Sequence, residues 1–477
     1  MIELRCDNLV IGSGPGGATT TAMLAEAGHD VLMVEEGSDH TVDSAPNYSL
    51  AEMDQKYRNG GLTTTFGKTN VTYIEGRCVG GASEINAALY HRPHAETLDR
   101  WGRDNHIDGF RSSALWTWFE QVEQVMGVTR KPTGLSPASN TLAAGADKLG
   151  WKSREIERFW RYDEGEQSWE GKRQSMSTTL VPRALAKGAR LRPDTRILRL
   201  HGKGRQLRWA EGTTLHRGRR VPVRVVFGQL FLCCGAVQTP TLLRRSGITE
   251  DVGDNLRLHP MVRIAARFPF EVNDPRYGVP VRQVEQFKPT ITLGCSHSSP
   301  PHIALWLGNQ VEDKRQKLEQ WKKIAVFYTA VQGEASGRIR ALPWIHEPLV
   351  TYPLTDADQK NLGEGLYRLA ELCFAGGAAE IFHPIEGQPS IRHPRELADL
   401  RDGLPHGAIN VTTIHLFSSL PMGERRGCAV DSYGALRAFD NVQVHDASVL
   451  PTSPGVNPQG TIMALVRRST AAWLARQ

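Results

Sequence analysis

The segment DNLVIGSGPGGATTTAMLAEAGHDVLMVEEG, residues 7–37, constrains the fold more than any other part of the chain. An apolar run at 8–11 reads as a short buried strand. Gly12, Gly14 and Gly17 then spell G-x-G-x-x-G, and a helix opens at Pro15, where proline's missing N–H costs nothing. Ala18, Thr19 and Ala22 are small enough for that helix to lie close to a sheet, and Gly28 suits its C-terminal stop. A second strand, 30–34, ends at Glu35. In such a unit the first glycine permits the tight turn, the second lets backbone approach a pyrophosphate, and the third brings helix and strand together. The helix N-terminus, with Ser13, Pro15 and Gly16 around it, offers free N–H groups and partial positive charge to phosphate. Glu35 stands near the spacing expected of a carboxylate that binds ribose, with Glu36 as its rival. The motif alone does not separate NAD from FAD.

With 477 residues the chain is too long for one ordinary core, so two domains are expected. Its 40% hydrophobic and 23% charged residues are globular composition. The net charge of +6 is mild, and the basic stretches at 190–200 and 215–226 read as solvated strand edges and loops. Nucleic-acid signatures are missing, so no nucleic-acid partner is expected. Cys6, Cys78, Cys233, Cys234, Cys295, Cys373 and Cys428 are scattered, odd in number and without a CxxC pair. That pattern argues for a reducing compartment and against a disulfide scaffold or zinc site. The N-terminus runs straight into a strand and no apolar run approaches 18 residues, so a cytoplasmic, membrane-free protein is the expectation.

Four further segments narrow the reading. GRCVGGASEIN (76–86) is a second glycine-rich run. CCGAVQTPTLLRRSGI (233–248) turns from a buried strand into a helix ending near Gly247. GDNLRLHP (253–260) follows it. HDASVLPTSPGVNPQGTIMA (445–464) passes through a Pro/Gly stretch into a final amphipathic helix. With the stretch TIHLFSSLPMG (413–423), these resemble the glucose–methanol–choline (GMC) oxidoreductases over residues 7 to about 474. The resemblance implies an FAD-dependent enzyme that oxidises alcohols. It implies an α/β (α+β overall) fold: a Rossmann-like FAD-binding domain assembled from 1–95, 175–260 and 435–477, and a substrate domain with an antiparallel sheet from 96–174 and 261–434. It further implies FAD contacts at the first glycine loop (Gly12, Ser13, Gly14, Pro15, Gly16, Gly17), Glu35 or Glu36, Gly81, Ser83, Asn86, Ile197, Asp446, Ala447, Asn457, Pro458 and Gln459. Where some relatives carry a histidine that bonds FAD covalently, this chain has Ile85, so noncovalent FAD is expected; a link through the nearby Cys78 is the alternative.

Oxidising an alcohol means removing a hydroxyl proton and a hydride from carbon, and a protein group must accept the proton. Imidazole suits, since its pKa lies near working pH. Taken alone, TIHLFSSLPMG admits two readings of His415: a core histidine bonded to backbone, or a proton acceptor. The family's pattern, H-x-x-G-(T/S)-x-x-M-G, is matched by His415, Ser419, Met422 and Gly423, with Ser418 where glycine is usual. The resemblance makes His415 the catalytic base, and Asn457 (11 residues after Asp446) the residue facing it; a turn residue before Pro458 is the other reading of Asn457. His259 and His445 read as structural or near the cofactor; His91, His94 and His383 sit in Pro-flanked loops, and no metal site is implied.

The leading expectation is therefore oxidation of a primary or secondary alcohol, a sugar or natural-product hydroxyl included, with O₂ or another acceptor reoxidising FAD. A lyase or decarboxylase on the same fold, a non-catalytic flavoprotein, and a nicotinamide dehydrogenase are the alternatives. Residues 40–70, 150–175 and 265–350 are expected to shape the pocket, with Trp160, Trp169 and Trp306 lining it or packing in the core. Intermediates of a bacterial biosynthetic pathway are among the conceivable substrates. Residues 354–378 read as a helix capped by Thr355, with Leu362, Leu366, Leu369 and Leu372 on its core face. Residues 314–323 read as a solvated helix.

Overall fold

In the computed structural model, residues 1–477 are described apart from 132–133, 168–169, 275, 277–278 and 308–313. Trp169 therefore lies outside the described residues. Ile2–Ile11 runs parallel to Arg219–Leu232 on one side and to Val31–Val34 on the other. This first strand is longer than the apolar run 8–11. Residues 2–6 alternate sheltered and exposed side chains and are held extended by pairing with 223–227. Between the strands Pro15–Glu26 forms the helix, and Gly28, at φ +84°, sits just beyond its end.

Seven strands make this sheet. The order is Thr195–Lys203, Gln206–His216, Arg219–Leu232, Ile2–Ile11, Val31–Val34, Arg190–Arg192, with Val442–Val444 paired to the end of Arg219–Leu232. The basic stretches 190–200 and 215–226 fall on its strands and hairpin turn, with mostly exposed or half-buried charges.

Nine strands make a second sheet, ordered Thr63–Thr64, Val71–Tyr73, Val411–Thr413, Met261–Arg267, Ile324–Val331, Ile291–Cys295, Arg282–Val284, Ser153–Glu155, with Glu380–Phe382 also on Met261–Arg267. All its pairings are antiparallel except that of Val411–Thr413 with Val71–Tyr73. Asp356–Ala375 covers one face. Thr355 accepts from the Asp358 N–H while the Asp358 carboxylate accepts from the Thr355 N–H, a reciprocal cap. Leu362, Leu366, Leu369 and Leu372 are buried in one core with Val262, Ile264, Phe327 and Leu293 from the sheet. Residues 314–319 form a short helix without a buried side chain.

The expected domain division differs from this architecture in two places. Residues 63–73 belong to the second sheet, not to the nucleotide unit, because their strands pair with each other and with Val411–Thr413. Ser112–Met126 packs instead on the nucleotide unit: Leu115, Phe119, Val122 and Met126 share a core with Leu9, Val10 and Leu465. Among the described residues no helix is long and apolar enough to cross a membrane.

Candidate active site

Two cavities meet between the sheets. The first, about 240 Å³, runs along the ends of the nucleotide strands. Gly12, Gly14, Pro15, Glu35, Glu36, Gly81, Asn86, Ile197, Asp446, Ala447, Asn457, Pro458 and Gln459 line it. Four of the expected contacts, Ser13, Gly16, Gly17 and Ser83, stand behind this lining instead. Ser13 gives its N–H and hydroxyl to Glu35 at 3.0 and 2.8 Å, Gly16 and Gly17 press against the backbone of His445 and Gly12, and the Ser83 hydroxyl bonds the Gly80 carbonyl at 2.7 Å.

The lining fits a dinucleotide. A Cβ on Gly81 would come within 2.8 Å of the Gly14 Cα, so the two glycines keep a channel that side chains would close. The helices Pro15–Glu26 and Gln459–Leu474 both start at this cavity without a side-chain cap, from Gly14 and Pro458. Their first N–H groups are left for anionic or carbonyl oxygens of a bound group. Glu35 accepts from the Ser13 N–H and hydroxyl on Oε2 and from the Gly37 N–H on Oε1, leaving acceptor capacity for a sugar hydroxyl. Burial pushes its carboxyl up, against those hydrogen bonds. Glu36 is committed elsewhere: it pairs with Arg58 at 2.8 Å, Arg77 at 3.3 Å and Arg196 at 3.5 Å. Burial would raise it, but these cations hold it below the usual carboxylate range. Of the two, Glu35 is the carboxylate with acceptor capacity left and no cation on it. Asp446 receives N–H groups of Gly235 and Ser448 and the Thr239 hydroxyl, which ties the last segment to the helix after Arg219–Leu232.

The second cavity, about 450 Å³, lies on the open face of the nine-stranded sheet. Alternation along the strands sets its floor. Thr72, Thr412, Met261, Arg263, Tyr328, Thr292 and Gln283 look into it, while Val262 and Ile264 point to the helix on the other side. Trp306 lines it, whereas Trp160 lies under Arg158 and outside it. His91, a loop histidine, lines it too and meets the Gln283 amide oxygen at 3.1 Å. Ile85 is in its wall. Cys78 is buried at the Gly81 carbonyl, and all seven cysteines are unpaired.

His415 and Asn457 line both cavities and stand where they join. The Asn457 amide nitrogen is 3.4 Å from His415 Nε2. On the other side of the ring, His415 Nδ1 is 2.9 Å from His259 Nδ1, and His259 Nε2 meets the Ser453 hydroxyl. An amide N–H facing Nε2 calls for a lone pair there, so the proton of His415 is on Nδ1 and goes to His259. His259 then carries its own proton on Nε2, toward a Ser453 oxygen that also accepts from the Gly455 N–H at 3.3 Å. Burial, then the charge of Arg263, push His415 down to about 3, and burial with the neighbouring ring lowers His259 as well. Both rings are neutral at physiological pH. His445 is elsewhere, buried at 2.9 Å from the Thr20 hydroxyl. His383 bonds the Pro389 carbonyl, and His94 opens a helix. Among the described residues no group of three His, Cys, Asp or Glu could hold a metal ion.

Ser418 adopts φ +69°, the left-handed conformation that the glycine usual at this position takes freely. Its hydroxyl is buried and has no hydrogen-bond partner among the described residues. Sequence reasoning did not reach His259 as a partner of His415, nor Arg263 as a cavity residue. The signal for Arg263 was a single charge inside the apolar run MVRIAA.

Two family models, both described as GMC oxidoreductase, match residues 53–261 and 336–465. The GMC-type oxidoreductase y4nJ of Sinorhizobium fredii (strain NBRC 101917 / NGR234) is 37% identical over 488 residues, covering 99% of this chain and 95% of its own. Long-chain-alcohol oxidase FAO4A of Arabidopsis thaliana is 27% identical over 512 residues, with 98% of this chain and 68% of the relative covered. Among solved structures, pyridoxine 4-oxidase from Mesorbium loti superimposes with a TM-score of 0.74 at 18% identity, over 99% of this chain and 100% of that one. The fold, the glycine-lined cavity and these matches agree: the chain belongs to the GMC oxidoreductase family, and its cofactor is FAD.

Proposed function

We propose that the protein oxidises a CH–OH group to a carbonyl, with His415 taking the hydroxyl proton. The observation that carries this reading is the position of His415 and Asn457 at the junction of the two cavities, the only histidine shared between them among the described residues. Bound FAD supplies the hydride acceptor. Gly14, Gly81, Glu35, Asn86, Asp446 and Gln459 would hold it, noncovalently given Ile85.

His415 Nε2 presents a lone pair toward the place where the hydroxyl must sit. Asn457 can donate to the same oxygen, so it orients the alcohol and stabilises negative charge that develops on it; an amide cannot take the proton. Apolar Ile414, Leu89 and Val456 around the pair thin out competing water and strengthen these few polar contacts. The downward shift keeps the resting imidazole unprotonated with its Nε2 lone pair free, and the hydrogen bonds to His259 and on to Ser453 hold the ring in place. Named alcohol oxidases among the relatives support the reaction class. Seven unpaired cysteines support a reducing, cytoplasmic setting.

Anaerobic mixing of the yellow holoprotein with a panel of alcohols tests the reading. The flavin should bleach with the right alcohol, and His415→Asn should slow bleaching by about 10²–10⁴-fold, the range of general acid–base catalysis. Equal bleaching by wild type and His415→Asn would remove His415 from the chemistry.

A further inference from the structure

Arg263 is a cation in the floor of the larger cavity that no described residue answers with an anion. It stands on Met261–Arg267, opposite Tyr328 on the neighbouring strand, with its side chain on the cavity face. Its Nη1 bonds the Thr412 hydroxyl, and its guanidinium lies 5.3 Å from the Trp306 ring centre. Nε and Nη2 make no hydrogen bond, and no carboxylate pairs with it, among the described residues. The described lining of this cavity contains no Asp or Glu at all. The other cation there, Lys288, is already answered by Glu285 at 3.1 Å. A guanidinium taken out of water is costly unless paired, and Nε with Nη2 is the edge that grips a carboxylate with two parallel hydrogen bonds.

We infer that Arg263 is a carboxylate-binding subsite, and that the substrate is an alcohol bearing a carboxylate at the end remote from the reacting hydroxyl. This rests on the alcohol-oxidising reading of His415 and specifies its substrate. Thr412 lies on Val411–Thr413, and a bend at Ile414 leads on to His415 in the same cavity lining, so a carbon frame must separate carboxylate from hydroxyl. Trp306 and Met261 offer the apolar wall for that spacer. Arg263 also lies near enough to oppose protonation of His415, and a carboxylate on the guanidinium cancels that opposition as the hydroxyl proton arrives.

The test uses holoprotein and three matched series of four to ten carbons: ω-hydroxy acids, α,ω-diols, and alkanoates without a hydroxyl. The hydroxy acids should have the higher kcat/KM at the best length. Arg263→Met should cut the ratio of kcat/KM for hydroxy acid over diol by about tenfold or more, as losing a charged hydrogen-bonded pair does. Arg263→Lys keeps the charge but not the fork and should fall between. The alkanoate of that length should perturb the flavin spectrum of wild type and not that of Arg263→Met. If diols serve as well as hydroxy acids and the ratio is the same in both Arg263 variants, the subsite is overturned while alcohol oxidation stands. If no alcohol bleaches the flavin, the reaction reading fails; the subsite is then upheld by an alkanoate titration lost in Arg263→Met, and overturned by its absence in wild type.

Discussion

His259 and His415 face each other through their Nδ1 atoms at 2.9 Å, and only one of the two can hold a proton there. The arrangement makes His259 a positioning residue, since it keeps Nδ1 of His415 protonated and Nε2 bare. His259→Leu should lower the rate of flavin reduction by about tenfold or more, because part of the His415 population turns to the unproductive tautomer. His259→Asn, whose amide oxygen can still accept from Nδ1, should recover part of that loss. A purely structural role for His259 would give equal rates for the two variants, and an unshifted acid limb in the pH profile of flavin reduction.

Ser418 should tolerate, and prefer, glycine. A left-handed residue with a Cβ costs about 1–2 kcal/mol, and a buried hydroxyl without a partner adds to this. The greater freedom of an unfolded glycine gives back about 0.5–1 kcal/mol. Ser418→Gly should therefore raise stability by about 1 kcal/mol, seen as a small rise in midpoint on thermal or denaturant unfolding. A lowered midpoint would mean that the hydroxyl has a partner in the folded protein.

The buried imidazole of His445 makes stability depend on pH. Burial pushes it down to about 3, whereas an unfolded histidine titrates near 6.5. Between those values the unfolded chain binds a proton that the folded chain does not. The contribution is fully present above about pH 6.5 and is lost as pH falls, by about 2 kcal/mol at pH 5. In His445→Gln the fall in unfolding free energy between pH 7 and pH 5 should be smaller than in wild type by about that amount. Parallel pH curves for the two proteins would contradict it.

Arg58 holds three carboxylates at once: Glu36 at 2.8 Å, Glu75 at 3.5 Å and Glu347 at 3.6 Å, from a site only 5% exposed. Arg58→Met leaves buried Glu75 with only the Gln238 amide and takes from Glu36 the nearest of its three cations, both in the wall of the first cavity. The expected loss is about 3–5 kcal/mol, with lower FAD content in the purified protein. Denaturant unfolding and flavin absorbance after denaturation measure both.

Two glycines of the opening segment should behave oppositely. A Cβ on Gly16 would lie 1.8 Å from the His445 carbonyl oxygen, backbone that cannot yield. Gly28 has open space around it and only its φ of +84° to protect. Gly16→Ala should abolish FAD retention, while Gly28→Ala should cost about 1–2 kcal/mol and keep the flavin. Flavin-to-protein absorbance ratios decide the point.

The nucleotide unit was legible because its signals are local: the glycine spacing and the strand and helix around it lie within a few residues, as does the Thr355 cap of the helix on the second sheet. The placing of His415 at the junction of the cavities was not local. The stretch itself admitted a core histidine, and the likeness of spacing to a family drew attention to it. What escaped depends on contacts distant in the chain. His259 meets a ring 156 residues away. Arg263 becomes a cavity residue only once its strand lies between those of Tyr328 and Thr412. Residues 63–73 form strands of two and three residues, too short to show alternation, so their membership of the second sheet was invisible.

The strand Val442–Val444 and the turn through Asn457 to Gln459 complete a cavity whose first wall is Gly12 and Gly14. These two parts lie far apart in the chain, so the first leaves the ribosome well before the second. Until residue 459 has left the exit tunnel, the nascent chain has half a cradle, and Leu230–Leu232 lacks one of its strand partners. Cofactor capture thus waits until both parts of the cradle have been made.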